Sequence, residues 1–395
     1  MSRLIYFLIL FSPLFLGADK LSDAFTNGSI DGEAKLFYYN VEKETASNSY
    51  ATSAGGYLKY STDTSQDFYG SVRFNTSQLV GNTINPHGTY LFNNDKNVTA
   101  LTVNSEAFLA WRGSSNRTLR IGNLMLETPL MNDDTTRIVP WSYQGLAYTG
   151  TAYDDTKIQL YYISKLRSNT SDVYTTKSAS GEIGSGITML GLHYNGFDAF
   201  ELKSFYYYAP DLYSTFIAEA KYKYIINEER LFCFGIQYFN SGNAGKYNNR
   251  EDRNGGDDIN LIALKLMYDA ENWMVNINYS QNYGVSGITK AYGGLAKVFT
   301  TSMIANGRGN YKPETWMFKG RYDLPTTVLG NTELALWLTQ TRVHDVRGNS
   351  FDAYYMHIHH YFSAFSSLYI RYESMNYLNT TSDATYLRMI AQYDF

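Results

Sequence analysis

Cysteine occurs once in these 395 residues, at Cys233, so no intramolecular disulfide and no cysteine-based metal cluster can form. Proline is scarce, seven in all, and no stretch has the Pro- or Ser-rich composition of a linker. Charge is thin: Asp, Glu, Lys and Arg make up 18% of the chain, 33 basic against 37 acidic residues, for a formal net charge of −4. That balance lacks the basic excess of a nucleic-acid-binding protein, so nucleic acid is not an expected partner. Beyond the first residues there is no long apolar run, and mean hydropathy is −0.33, which excludes a bundle of membrane-spanning helices.

The one apolar run opens the chain. Leu4 to Phe11 follow Arg3, Pro13 breaks the run, and Leu16-Gly17-Ala18 precedes the charged Asp19-Lys20. This is the layout of a secretory signal peptide, with cleavage expected after Ala18. An N-terminal helical anchor is the alternative, but the run is well short of the roughly 20 residues a spanning helix needs. The expected organisation is a signal peptide over 1–18 and one continuous transmembrane β-barrel over 19–395.

What is abundant is aromatic: 37 Tyr, 22 Phe and 5 Trp, 16% of the chain. Tyrosine on this scale suits strands, and it suits the aromatic girdles of a barrel at the two membrane interfaces. A secreted chain without disulfides must be held by backbone pairing and packing. A closed barrel does this in lipid, because every strand N–H and C=O finds a partner and no edge is left.

Short alternation broken by Gly, Asn, Asp and Ser turns carries this reading. Over 273–282, Trp273, Val275, Ile277 and Tyr279 form an apolar face, and Met274, Asn276, Asn278 and Ser280 a wet one. Over 101–112, Leu101, Val103, Ala107, Leu109 and Trp111 are expected to face lipid, opposite Thr102, Asn104, Glu106 and Arg112. Ile158, Leu160 and Tyr162 oppose Lys157, Gln159 and Tyr161. Ala218, Ala220, Tyr222 and Tyr224 oppose Glu219, Lys221 and Lys223, and Leu368, Ile370 and Tyr372 oppose Tyr369, Arg371 and Glu373. Over 333–341 both faces are partly apolar, Trp337 against Leu334, Leu336 and Leu338, and the register stays open. Alternation also fits a soluble β-sandwich, but the chain's end does not. Leu387, Met389, Ala391, Tyr393 and Phe395 alternate with Arg388, Ile390, Gln392 and Asp394 and stop on a C-terminal phenylalanine. This resembles the assembly signal on the last strand of outer-membrane proteins, with Tyr393 and Phe395 its key residues and the barrel-assembly machinery its reader. The length suits about 16 to 20 strands, wide enough for an aqueous channel.

Residues 126–145 interrupt the alternation with a polar segment, Leu-Glu-Thr-Pro-Leu-Met-Asn-Asp-Asp-Thr-Thr-Arg-Ile-Val-Pro-Trp-Ser-Tyr-Gln-Gly, after the strand that carries Arg120-Ile121-Gly122. Here the sequence resembles the OprD-type outer-membrane porins, whose third-loop region has Arg-x-Gly on a strand, then Thr-Pro, an Asn/Asp pair, Arg, Pro, an aromatic and Gly. Weaker likenesses lie at 206–213, 284–291 and 299–303. The resemblance implies an all-β protein, a transmembrane antiparallel β-barrel of 18 strands, with the third loop folded inward as a constriction, and commonly a homotrimer. It implies a passive outer-membrane channel for small hydrophilic solutes in Gram-negative bacteria, with a basic track in the lumen that leads carboxylate-bearing solutes to the narrowing. Carried over by position, the constriction residues are Asp133, Asp134, Arg137, Trp141 and Tyr143. The track draws on the wet faces: Arg73, Arg112, Arg120, Lys157, Lys221, Lys223, Lys319, Arg321, Arg371 and Arg388. The surroundings expected are outer-membrane lipid and lipopolysaccharide, and the cargo small polar solutes.

Other signals are weaker. His357 and His359 share a lumen face, but without a completing ligand set they are expected to be solvated histidines, and no metal or other cofactor is expected. His193 has no serine at a committed spacing, so no catalytic residues are expected and the chain does not look like an enzyme. Gly293-Gly294 and Gly307-Arg308-Gly309 lack a strand-to-helix context for phosphate. Residues 250–258 are charged and glycine-bearing, an expected outer loop. Two further functions stay open: a general, non-selective porin, and a barrel that displays its loops as a surface adhesin or receptor.

Overall fold

The structure is a computed structural model that describes residues 18–395 apart from 115, 135, 154, 179–180, 211, 245–257, 289–291, 306–308, 310, 346–347, 379 and 381. The apolar leader through Gly17, Gly307-Arg308, and all of segment 250–258 except Asp258 therefore lie outside the described residues. A short helix, Ala18–Thr26, leads in. It docks on the turn between the second and third strands, where the Tyr60 hydroxyl donates to Phe25 O at 2.5 Å and Asp63 N–H to Ala24 O at 2.9 Å. No described helix is long and apolar enough to cross a membrane.

Eighteen strands form one antiparallel sheet. The first, Ser29–Lys43, pairs with Ser49–Ser61 on one side and with the last, Ala384–Asp394, on the other, so the sheet closes on itself. The first described residues, the C-terminus and most of the short turns lie at one end of this barrel. Long connections, among them 85–99, 125–141, 168–186 and 283–313, lie at the other, which by the usual asymmetry is the extracellular end.

Side chains alternate as the pleat requires. Val275 and Ile277 point outward and are exposed, while Asn276, Asn278 and Ser280 are buried inside. Outward aromatics gather near the turn end at Trp111, Trp273, Tyr224 and Tyr322, and near the other end at Tyr206, Tyr208, Trp316 and Tyr354. The 333–341 register is settled too: Leu336 and Leu338 face lipid. Trp337 turns inward, its ring 4.2 Å from that of Tyr355 and under the Lys319 ammonium at 4.4 Å.

The reading of 101–112 needs correction. Leu101 and Val103 do not face lipid; they are buried inside against Val139, while Thr102 lies exposed on the outer wall. The cause is a β-bulge: Arg73 pairs with Glu106 but Phe74 with Asn104, which leaves Ser105 as an extra residue. One extra residue inverts the parity of everything beyond it. His357 also departs from expectation. Rather than solvated it is buried, with Nε2 2.7 Å from Glu333 Oε1 and Nδ1 2.9 Å from the Tyr355 hydroxyl.

At the seam, Gly32 and Phe395 exchange both backbone hydrogen bonds, at 2.8 and 3.0 Å. The ring lies across Gly32, where an added Cβ would come within 2.5 Å of it. Deleting Phe395 removes both bonds and the outward ring, so the yield of heat-modifiable barrel in the outer membrane is expected to fall. Assembly at the wild-type level and rate would refute this role.

Candidate functional site

The lumen is crossed by two loops. The first, 125–141, leaves the sheet because its backbone cannot continue a ladder: Pro129 and Pro140 lack N–H groups, and Asp134 has φ +45°. Residues 126–133 form a small hairpin instead. Thr128 N–H donates to Met131 O at 2.9 Å, the Thr128 hydroxyl accepts from Met131 N–H at 2.9 Å, and Asp133 N–H reaches Leu126 O at 3.1 Å. Leu126, Leu130 and Met131 pack inside the barrel with Tyr161, Phe205 and Tyr207 of the wall. The loop then crosses to the seam, where Ile138 joins Phe37, Tyr39 and Val41 and its carbonyl accepts from Asn75 Nδ2 at 3.0 Å.

The described part of the second loop, 283–313, runs beside the first. Asn132 clasps it, with Nδ2 donating to Leu295 O at 2.7 Å and Oδ1 accepting from Leu295 N–H at 2.9 Å. This close approach requires Gly294, which has φ +77° and whose missing Cβ would fall 2.6 Å from Asn132 O. Gln237 on the wall accepts from Phe299 N–H at 3.0 Å and donates to Lys297 O at 3.2 Å.

Under the two loops the lumen opens into two cavities. The larger, about 520 Å³, is lined by Lys157, Lys203, Lys221, Lys265, Lys297 and Lys319 against only Glu127 and Glu219, with Phe299 projecting into it. The smaller, about 430 Å³, lies near the seam and carries Arg73, Arg137 and Arg371 with His359 and Tyr369.

Against known proteins, the profile described as "outer membrane porin, OprD family" matches residues 85–370. The chain belongs to the OprD family of outer membrane porins. Solved structures similar to this OprD-family porin include Acinetobacter baumannii OccAB2, with TM-score 0.80 at 18% identity over 94% of this chain and 99% of that one. Pseudomonas aeruginosa OccK8 (OprE) gives TM-score 0.77 at 15% identity, over 94% and 99%. Pseudomonas aeruginosa OpdK, solved with vanillate, gives TM-score 0.74 at 12% identity, over 93% and 98%. No curated protein matches the chain. Membership makes the barrel an outer-membrane channel for small solutes.

Within this OprD-family porin the five expected constriction residues divide. Asp133 lines a recess with Arg120 and Lys157. Burial lifts its carboxyl above the usual range, while Lys297 and Arg73 pull the other way. Arg137 stacks 5.0 Å over the Tyr39 ring and lines the smaller cavity. Its withdrawal from water, with Arg388 beside it, brings the guanidinium down to about 10, still charged at neutral pH. Asp134 is buried and accepts from the Thr136 hydroxyl at 2.7 Å. Trp141 and Tyr143 are buried as well, and the Tyr143 hydroxyl donates to Asn132 O at 3.0 Å. These last three pack the loop onto the wall rather than border open space.

The expected basic track resolves into groups. Lys157, Lys221 and Lys319 line the larger cavity, and Arg73 and Arg371 the smaller. Arg120 borders the recess between loop and wall. Arg388 is 1% exposed, with Nη2 3.3 Å from the Tyr39 hydroxyl. Arg321 is held by Asp269 at 3.6 Å and Asp323 at 3.4 Å. Arg112 and Lys223 sit exposed at the turn end. Several lysines are partnered: Lys203 and Lys221 form a ladder with Glu201 and Glu219 on adjacent strands, Lys221 to Glu219 at 2.6 Å.

Sequence reading missed Lys203, Lys265 and Lys297. The first two had a usable signal, since Leu202-Lys203-Ser204 and Leu264-Lys265-Leu266 place a cation on the wet face of an alternating strand. Lys297 comes from the second loop, where it pairs with Glu127 at 3.3 Å, and no strand pattern announces it.

Proposed function

We propose that the channel favours small hydrophilic solutes that carry a carboxylate. The observation that supports this reading is the larger cavity, with six lysines against two glutamates on its lining. A narrow passage with low-dielectric walls focuses the field of a few charges, so an excess of one sign raises the local concentration of the opposite one. Lys157 and Lys265 have no ion pair among the described residues, which leaves their charge directed at the lumen. The relative solved with vanillate is consistent with a carboxylate cargo. In this reading Asp133 faces the lysines and orients a dipolar solute, and the chain reaches the membrane through a cleaved leader and the barrel-assembly machinery.

Liposome swelling tests the reading. Monocarboxylates and dicarboxylates are expected to enter faster than sugars and neutral amides of equal size at low salt, and the advantage should shrink as salt rises and screening sets in. Equal rates for charged and neutral solutes would favour the general porin. Absence of stepwise conductance from folded protein in planar bilayers would favour the adhesin.

A further inference from the structure

The loop 283–313 is anchored at points across the lumen, and one of these is unlike the rest. Asn132 and Gln237 are neutral amides, each matching one N–H and one C=O of the loop. The third clasp is Glu373, on strand Ser366–Tyr377, far round the wall from Gln237 on strand Arg230–Asn243. Its carboxylate is 0% exposed and accepts two consecutive backbone N–H groups, Ile304 through Oε2 and Ala305 through Oε1 at 3.2 Å. A carboxylate has only acceptors to offer, and N–H bonds to it are charge-assisted. The loop is shaped for it: Ser302 N–H bonds back to Ala305 O at 2.7 Å, which turns the chain so that both donors meet the wall. Between Gln237 and Glu373 the loop hangs across the barrel, steadied by Lys319 Nζ on Thr301 O at 3.3 Å.

We propose that Glu373 is a positioning residue that sets the width of the passage by tying the far end of this loop to the wall. Buried as it is, Glu373 does not meet the solute; it acts through Ile304 and Ala305. The proposal needs only that the barrel is a channel and is independent of its preference for carboxylates.

Two variants with the same loss of charge test it. Glu373→Gln keeps one acceptor; Glu373→Met, of similar size, keeps none. In 1 M salt, where screening over about 3 Å mutes any change of field, single-channel conductance of correctly folded protein is expected to rise, on the order of twofold for Glu373→Met, with more open-channel noise and a smaller rise for Glu373→Gln. Equal conductance in both variants, whether at the wild-type value or shifted only at low salt, would overturn the proposal, since charge rather than hydrogen bonding would then be what matters. Should neither variant fold, Ala305→Pro removes one donor from the loop and leaves the wall intact. It should raise conductance too, and a folded Ala305→Pro barrel with wild-type conductance and noise overturns the proposal.

Discussion

Replacing Lys157 and Lys265 together by glutamate is expected to abolish the anion preference proposed above. Six lysines facing two glutamates on the larger cavity become four facing four, and the focused field that draws a carboxylate inward disappears with the imbalance. Reversal potentials in a gradient of dilute salt should fall close to zero. Uptake of a small carboxylate should drop to that of a neutral solute of its size. Neither lysine has an ion pair among the described residues, and neither lies in a packed core, so the folded yield should hold. At 1 M salt the variant and the wild type should converge, because charges more than about 3 Å apart are then screened. Unchanged selectivity in dilute salt would mean that the larger cavity is not on the path of the permeating ion.

Arg167→Met is expected to release the first loop without opening the barrel. Arg167 is 0% exposed, yet among the described residues no carboxylate bonds it. Its guanidinium donates to Ser142 Oγ at 3.0 Å, to the carbonyls of Ser168 and Ser171 at 3.0 Å, and to that of Pro140 at 2.9 Å. It thereby ties the end of 125–141 to the start of 168–186. Methionine fills much of the volume but donates nothing, and each carbonyl left dry costs about 1–3 kcal/mol. The strand ladders do not depend on these bonds, so the barrel should still assemble and show heat modifiability. The loops should become sensitive to protease, and conductance should be larger and noisier. A protease-resistant variant with wild-type conductance would show that Arg167 fills space and holds nothing.

Much of the wall was legible in the sequence because alternation is a local signal. In Trp273–Asn282 the outward Ile277 and Tyr279 each stand between two polar residues, and the fold follows that pattern. The strand count was less legible: length allowed 16 to 20, and the number 18 rested on the likeness of 126–145 to a family. At Leu101 and Val103 alternation misled. Apolar residues there serve a loop packed inside the barrel rather than lipid outside it, and the extra Ser105 that reverses their direction leaves no mark on local composition. His357 was misread because its partner Glu333 lies on the neighbouring strand, across a pairing no single segment reveals.

The site itself was half visible. The first loop announced itself by two prolines and a lost period. The second was seen only as weak likenesses at 284–291 and 299–303, and its clearest mark, Gly293-Gly294, was set aside because it had no place in a phosphate loop. Those glycines, at φ +79° and +77°, let one loop lie against the other. Five of the six lysines of the larger cavity come from five different strands and Lys297 from a loop, so their convergence belongs to the closed sheet and to no stretch of sequence.

The first loop touches the wall where the barrel is sealed. Tyr39 belongs to the first strand and Arg388 to the last, and these strands meet only when the sheet has closed. Arg137 rests on that Tyr39 ring with Arg388 beside it, and Ile138 packs on Phe37 and Val41 of the same strand. The berth is thus the final product of assembly, contributed jointly by the two ends of the chain. Folding acquires an order from this: the loop can settle only after the last strand has found the first, and a barrel left unzipped at its seam keeps an unfurnished interior.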